Sequence, residues 1–337
     1  MNHVNTSGDP PRAARTLLKS WLVWDNHGCM PLRAGDESFL PQLQRYRDSG
    51  VDVVTLNVGF DAVPWENTDA VLETFRGWLR ARPDDYVLVE KCSDIETAKQ
   101  TGKLGVLFDI EGGSALNGQL GMVEHYHRLG VRWMLIAYNR NNLLGGGCQD
   151  DDEGLTPFGR AVLDEMARVG MVVCCTHTGF RTTMEVMEHS KRPVIFSHSN
   201  PLGVWQHRRN IRDEAIKACA ATGGVVGING IGIFLGRNDA TTDTFVRHVD
   251  YVVQLVGPEH VGIGLDYVFD QQELIDFVAA NPATFPPEEY ADGRVAMVSP
   301  EQIPEIAERF MQLGYSPQNI GDILGGNHLR VARSVWR

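Results

Sequence analysis

The stretch Leu104-Gly105-Val106-Leu107-Phe108-Asp109-Ile110-Glu111-Gly112-Gly113 decides how the rest of the chain is read. Apart from Asp109 it carries no polar side chain from Leu104 to Ile110, the pattern of a strand buried on both faces of a parallel sheet. It then ends on a carboxylate followed by two glycines. Four other runs finish in the same way, on a residue that binds a metal or handles a proton. They are Trp24-Asp25-Asn26-His27-Gly28-Cys29, Val173-Cys174-Cys175-Thr176-His177, Ile195-Phe196-Ser197-His198-Ser199 and Gly262-Ile263-Gly264-Leu265-Asp266. An eight-stranded parallel barrel gathers the C-terminal ends of its strands around one pocket, so residues far apart in the chain would meet there. The residues alone point to a metal-dependent hydrolase.

Apolar runs alternate with helical patterns along the whole chain, as repeated βα units require. Candidate strands are Trp21–Asn26, Val51–Val58, Leu104–Ile110, Arg132–Tyr138, Met171–Thr176, Val194–Ser197, Gly224–Ile228 and Val261–Leu265. Helical stretches between them include Gly121–Leu129, Pro157–Val169, Thr182–His189, Arg212–Ala221, Thr242–Val256 and Glu301–Leu313, and the interval from Asp61 to Lys103 has room for more than one. The proline-bearing stretch Asn281–Met297 reads as a long surface loop. The expected architecture is α/β: a single (β/α)8 TIM-type barrel over residues 21–337, with elaborated loops, a C-terminal helical segment and a flexible segment at 1–20. A doubly wound open sheet is the alternative, but no Gly-x-Gly-x-x-Gly fingerprint follows the first strand.

The 31 Lys and Arg against 43 Asp and Glu give a net charge of −12, which opposes phosphate backbones and anionic lipid. The expected partner is a small-molecule substrate, not nucleic acid or membrane. Met1 to Ser20 has no apolar core of a secretion signal, and no later stretch approaches the length of a membrane span, so the expectation is a cytoplasmic protein. The six cysteines, scattered and including the adjacent Cys174 and Cys175, suit reduced thiols better than a disulfide framework. The glycine-rich loop from Leu143 to Glu153 lacks the Gly-Lys-Ser/Thr ending of a phosphate cradle and carries acids, and it reads as a mobile loop over the barrel mouth.

Taken singly, each candidate ligand has a bland alternative: a hydrogen-bonded core histidine, or a glutamate before a turn. Taken together, His27, Glu111, His177 and His198 all fall at strand C-termini, whereas His125, His127, His189, His207, His248, His260 and His328 fall in helices or loops. Imidazole and carboxylate are the set that first-row divalent metals select.

The stretches Ile110–Gly113, Leu129–Trp133, Gly154–Gly159, Phe196–Asn200, Arg209–Asp213, Gly262–Asp266 and Gly325–Arg330 resemble, in this order, the renal or membrane dipeptidases, zinc enzymes of peptidase family M19 related to the amidohydrolases. The resemblance extends from Asp25 to Arg330. It implies a (β/α)8 barrel with two zinc ions bridged by a glutamate, and hydrolysis of a small amide by metal-activated hydroxide. Carried over by position, His27 is a ligand of the first metal, Glu111 the bridge, and His177 with His198 ligands of the second. Arg209 would hold the substrate's terminal carboxylate, for which a guanidinium fork is suited; its bland reading is a surface charge. Asp266 would orient the nucleophile and carry its proton to the leaving amine. Many members of the family dimerise, so a homodimer is the oligomeric expectation.

The chain departs from the family pattern at four places. Where the family's first motif reads His-x-Asp, both residues binding metal, this chain has Cys29; a thiolate retains zinc affinity, whereas a buried thiol would leave the first site weak. Tyr138 stands where a histidine contacts the substrate carbonyl, and its hydroxyl can donate the same bond to a developing oxyanion. Val268 replaces a second acid after the last strand, and Cys174 replaces another acid one strand before His198. The reading from sequence is therefore a zinc-dependent hydrolase of a dipeptide or similar small amide. The alternatives are a relative acting on an N-acyl amino acid, lactone or cyclic amide, and a binding protein that has lost its first metal.

Overall fold

The structure, a computed structural model, describes residues 17–290 and 294–337. The flexible segment expected at 1–20 lies, through residue 16, outside the described residues. Among the described residues there are ten strands: β1 Trp24–Cys29, β2 Val53–Phe60, β3 Tyr86–Leu88, β4 Leu104–Glu111, β5 Val131–Leu135, β6 Val172–Cys174, β7 Val194–Ile195, β8 Val226–Ile228, β9 Val261–Ile263 and β10 Tyr267–Val268. The ladder runs β10-β1-β2-β4-β5-β6-β7, with β8-β9 as a separate pair, and every pairing is parallel. The bridge between Phe196 and Val226 joins β7 to β8. The circle is completed when Gly264 N–H donates to Ile228 O and Asp266 N–H to His27 O, at 3.1 and 2.9 Å. This is the (β/α)8 barrel expected from the sequence, with β3 paired beside the first residues of β4, Leu104 to Val106, and β10 a short extension beside β1.

Helices follow the strands where local signals place them. Residues Pro157–Val169 are opened by Thr156, whose hydroxyl accepts from Gly159 N–H, and stopped by Gly170 in the left-handed region at φ 90°. Thr241 caps Thr242–Val256 in the same way. The interval Asp61–Lys103 holds two helices, Glu66–Arg80 and Cys92–Thr101. The expected strand Arg132–Tyr138 stops at Leu135, because Ile136 to Tyr138 leave the ladder to build the site. The loop Asn281–Met297 is more than a surface loop: Phe285 in it is buried, and it follows a helix, Gln271–Ala280, that has no counterpart in the sequence reading. The glycine-rich loop is tied down instead of lying free, since Gly146 N–H donates to Thr182 Oγ1 and Asp152 accepts from the Thr182 N–H and hydroxyl.

An apolar cluster links Trp24, Leu107, Trp133 and Cys174 of four barrel strands to Val331 and Val335 of the last helix, Asn327–Val335, which plugs one end of the barrel. His328 of that helix lies so close to Gly262 that any Cβ there would collide with its ring. Alternate residues of a strand share a face. The face of β4 that buries Leu107 in this plug therefore presents Asp109 and then Glu111 further along, towards the opposite end.

Candidate metal and active site

At that opposite end the expected residues converge. His27 at the end of β1, Glu111 at the end of β4, His177 after β6 and His198 after β7 surround one point: Glu111 Oε1 lies 3.5, 3.4 and 3.2 Å from the Nε2 atoms of His27, His177 and His198. None of these contacts has hydrogen-bond geometry, and Oε1 is buried without a partner. His177 and His198 Nε2 are 3.1 Å apart, and the His27 and His198 rings stack at 3.9 Å.

Each ring is turned inward by a bond at its other nitrogen. His27 Nδ1 meets Asp109 Oδ2 at 2.8 Å, His177 Nδ1 meets Asn139 Oδ1 at 2.7 Å, and His198 Nδ1 meets the Ser197 hydroxyl at 2.9 Å. The acceptor oxygens of Asp109 and Asn139 hold the Nδ1 protons of His27 and His177, and all three rings turn Nε2 towards Glu111 Oε1. Asn57 donates to both Asp109 Oδ1 and Glu111 Oε2, holding the two carboxylates of β4 in line. Cys174, buried one layer down in the plug, donates its thiol hydrogen bond to Ser197 and so supports His198 from beneath.

Cys29 and Asp266 complete a second group. Cys29 Sγ lies 3.5 Å from His27 Nε2 and 3.3 Å from Asp266 Oδ1, while Asn229 donates to Asp266 Oδ2 at 2.8 Å. Two overlapping sets of donor atoms each fit within 4.8 Å: His27 with Cys29 and Asp266, and His27 with Glu111 and His198. Three site residues, Asn139, His177 and Asp266, have left-handed backbones at φ 59°, 64° and 57°, conformations that cost energy in a residue with a Cβ and collect where function demands them. Asp25, buried beneath, ties the barrel seam by accepting from Leu265 N–H and the Tyr46 hydroxyl.

Charge in this space is frustrated. Burial pushes Glu111 up, to about 8. It also opposes charge on His27, but Asp109 and Glu111 outweigh it and hold that imidazole well above its ordinary value. Burial drives His177 and His198 well down, helped by the neighbouring positive groups. Cys29 is pushed up by burial, so its thiol stays protonated unless a cation offsets it. Lone pairs on His177 and His198, a His27 ring whose Nε2 proton a cation would displace, an unpartnered carboxylate oxygen and a thiol are a donor set that fits one or more divalent cations.

Arg209 and Tyr138 reach the same place. Arg209, 4% exposed, donates from Nη2 to His177 Nε2 at 3.0 Å, and its Nε is buried without a partner. The Tyr138 ring stacks on His177 at 4.0 Å. Both line a cavity of about 1100 Å³, including its open mouth, together with Cys29, Glu111, His177, Asp266 and Val268. Asn57, Asn139, Asn229 and Asp109 went unassigned in the sequence reading. Only Asp109 carried a signal, its two-residue spacing from Glu111 on a strand.

This constellation at the C-terminal end of a (β/α)8 barrel is a donor set suited to divalent metal. The family model of the membrane dipeptidases, peptidase family M19, matches residues 42–277, and the chain belongs to that family. It is 32% identical over 186 residues to an uncharacterised dipeptidase of Schizosaccharomyces pombe, covering 52% of this chain and 45% of that one. It is 28% identical over 261 residues to the dipeptidase TcpJ of Claviceps purpurea, covering 75% and 56%. The chain thus spans about half the length of the curated relatives it matches. Among solved structures, an amidohydrolase from Pseudomonas aeruginosa superposes with a TM-score of 0.87 at 29% identity, over 96% of this chain and 99% of that one. No helix among the described residues is long and apolar enough to cross a membrane.

Proposed function

We propose that the protein is a zinc-dependent hydrolase of dipeptides or similarly small amides bearing a free carboxylate, working in the cytoplasm. One observation carries this reading: the unpartnered Glu111 Oε1 faces three imidazole Nε2 atoms beside a buried arginine. His27 and Cys29 would hold a first ion, Glu111 would bridge, and His177 with His198 would hold a second. Bound divalent ions would supply the Lewis acidity that polarises an amide carbonyl and makes hydroxide available near neutral pH. All six cysteines are free, which suits a reducing compartment.

The chain's own residues divide the remaining work. The partnerless Nε of Arg209, with its outer nitrogens, forms a fork for the substrate carboxylate and fixes the scissile bond over Glu111. The Tyr138 hydroxyl donates to the carbonyl oxygen as it gains charge. Asp266, held through Oδ2 by Asn229, keeps Oδ1 towards the donor group, where it takes the proton of the attacking water and passes it to the leaving amine.

The test combines elemental analysis of protein purified without added metal or chelator with hydrolysis of L-Ala-L-Ala and its C-terminal amide. The expected outcome is about two zinc ions per chain and a kcat/KM for the amidated peptide lower by about 10- to 100-fold, the worth of a charge-assisted clamp. Arg209→Met should erase the difference between the two substrates. One ion or none, with no turnover of either peptide, would replace this reading with that of a binding protein.

A further inference from the structure

The cavity above the metal donors is walled by aromatic rings, of which the catalytic roles use only the hydroxyl of Tyr138. Tyr138 packs against Phe60 with ring centroids 4.9 Å apart, Phe60 against Phe277 at 5.4 Å, Phe277 against Phe285 at 5.9 Å, and Phe285 back against Tyr138 at 6.2 Å. The chain of contacts closes on itself, and Tyr290 extends it from Phe285 at 5.8 Å. All five rings line the cavity. The wall begins on the site itself, since the Tyr138 ring that closes the circuit also stacks on His177.

Sequence explains the arrangement. Phe60 ends β2 and Tyr138 follows β5, so the barrel supplies one half of the circuit. The helix Gln271–Ala280 and the loop after it supply the other half. Leu274 and Phe277, three residues apart, share one face of that helix, and both line the cavity. The acids at the rim are already neutralised: Arg33 bonds Asp270 Oδ2 and Glu273 Oε2 at 2.8 and 2.9 Å. Asp266, deeper in, is engaged by Asn229 and Cys29. Away from the polar floor, none of the described residues lining the cavity offers an uncommitted charge to a charged substituent, and a charged group buried against this wall would lose its hydration.

We infer that the aromatic circuit Tyr138–Phe60–Phe277–Phe285 is the subsite for the acyl half of the substrate, and that the enzyme selects amides whose acyl half is large and apolar. This rests on the reading of the site as an amide hydrolase whose amine half is held by Arg209. The same chemistry has two sources, a dipeptide with a bulky apolar first residue and an amino acid acylated by a fatty or aryl acid. Aromatic side chains bury more apolar area than aliphatic ones and stack edge-to-face on such a wall.

The experiment compares kcat/KM of the zinc-loaded enzyme for L-Phe-L-Ala, Gly-L-Ala and L-Glu-L-Ala, and for N-octanoyl- and N-acetyl-L-alanine. Binding of 3-phenylpropanoate and acetate, the bare acyl halves, is measured in parallel by calorimetry. The bulky apolar member of each set should lead by about 10- to 100-fold, as burial of one large apolar group dictates. The lead should collapse in Phe285→Ala and in the more exposed Phe277→Ala, the second guarding against a folding defect in the first. A larger rate among the dipeptides identifies the peptide source; a larger rate among the acylated alanines identifies the other. Equal rates for Gly-L-Ala and L-Phe-L-Ala, with equal binding of the two acids, would overturn the subsite. Absence of turnover of every amide, with 3-phenylpropanoate still bound tightly and dependently on Phe285, would overturn the hydrolase reading and leave the subsite standing.

Discussion

His177 Nε2 and His198 Nε2 lie 3.1 Å apart, and each ring's other nitrogen is engaged, by Asn139 and Ser197 respectively. Arg209 Nη2 meets the His177 lone pair, but two lone pairs held that close still favour a cation between them, and burial keeps both rings from relieving the repulsion by protonation. Stripping metal with a chelator should therefore destabilise the whole barrel. With free zinc at about a thousand times its dissociation constant, linkage gives roughly 4 kcal/mol of stabilisation, to be read as a drop in the denaturation midpoint on chelation and its return with zinc. An unchanged midpoint would mean the donors hold no tight ion.

Cys29 would set the character of the proposed first site. With Sγ 3.5 Å from His27 Nε2 and 3.3 Å from Asp266 Oδ1, it stands in the geometry of a third donor. Cobalt substituted into the protein should show an intense near-ultraviolet sulfur-to-metal charge-transfer band, absent in Cys29→Ala and Cys29→Asp, while Cys29→Asp still binds the ion through oxygen. If the parent lacks the band and the spectra coincide, Cys29 is a bystander thiol.

The barrel was legible because strands buried on both faces read as unbroken apolar runs, and the candidate ligands were picked out because those runs stop on them. Leu104 to Glu111 announces both at once. What escaped was short or distributed. Tyr86–Leu88 and Tyr267–Val268 are too brief for a periodic signal, and Gln271–Ala280 follows so closely on the last strand that its apolar positions merged with the loop. Asn57, Asn139 and Asn229 leave no mark in sequence, since an asparagine gains its role only from the carboxylate or ring it meets in space. Phe60 and Phe285 are likewise ordinary residues until the fold brings each into one circuit with Tyr138.

Asp109 is a positioning residue. Its Oδ2 holds His27 Nδ1 at 2.8 Å, and its other oxygen is held by Asn57. Asp109→Asn replaces the anionic acceptor by an amide that can present either oxygen or nitrogen to the ring, loosening the tautomer that aims Nε2 at the site. Zinc affinity should fall by about 10- to 100-fold, measured by competition with a chromophoric chelator. An affinity within a factor of about two of the parent would remove Asp109 from this role.

His328 gives the fold an acid limit. It is buried against Trp24 and Gly262, bonded to Ile263 O, and burial holds it down to about 4 from its ordinary 6.5. The folded protein therefore keeps it neutral while the unfolded chain takes up a proton below about pH 6.5. Its full contribution is present above pH 6.5 and is lost progressively as pH falls towards 4, with about 2 kcal/mol gone by pH 5. His328→Gln, which keeps an N–H donor but cannot titrate, should lower stability at pH 8 yet flatten the decline from pH 8 to 5 by that amount. Urea midpoints of parent and variant measured across this range decide it: parallel curves would mean that His328 does not carry the acid sensitivity.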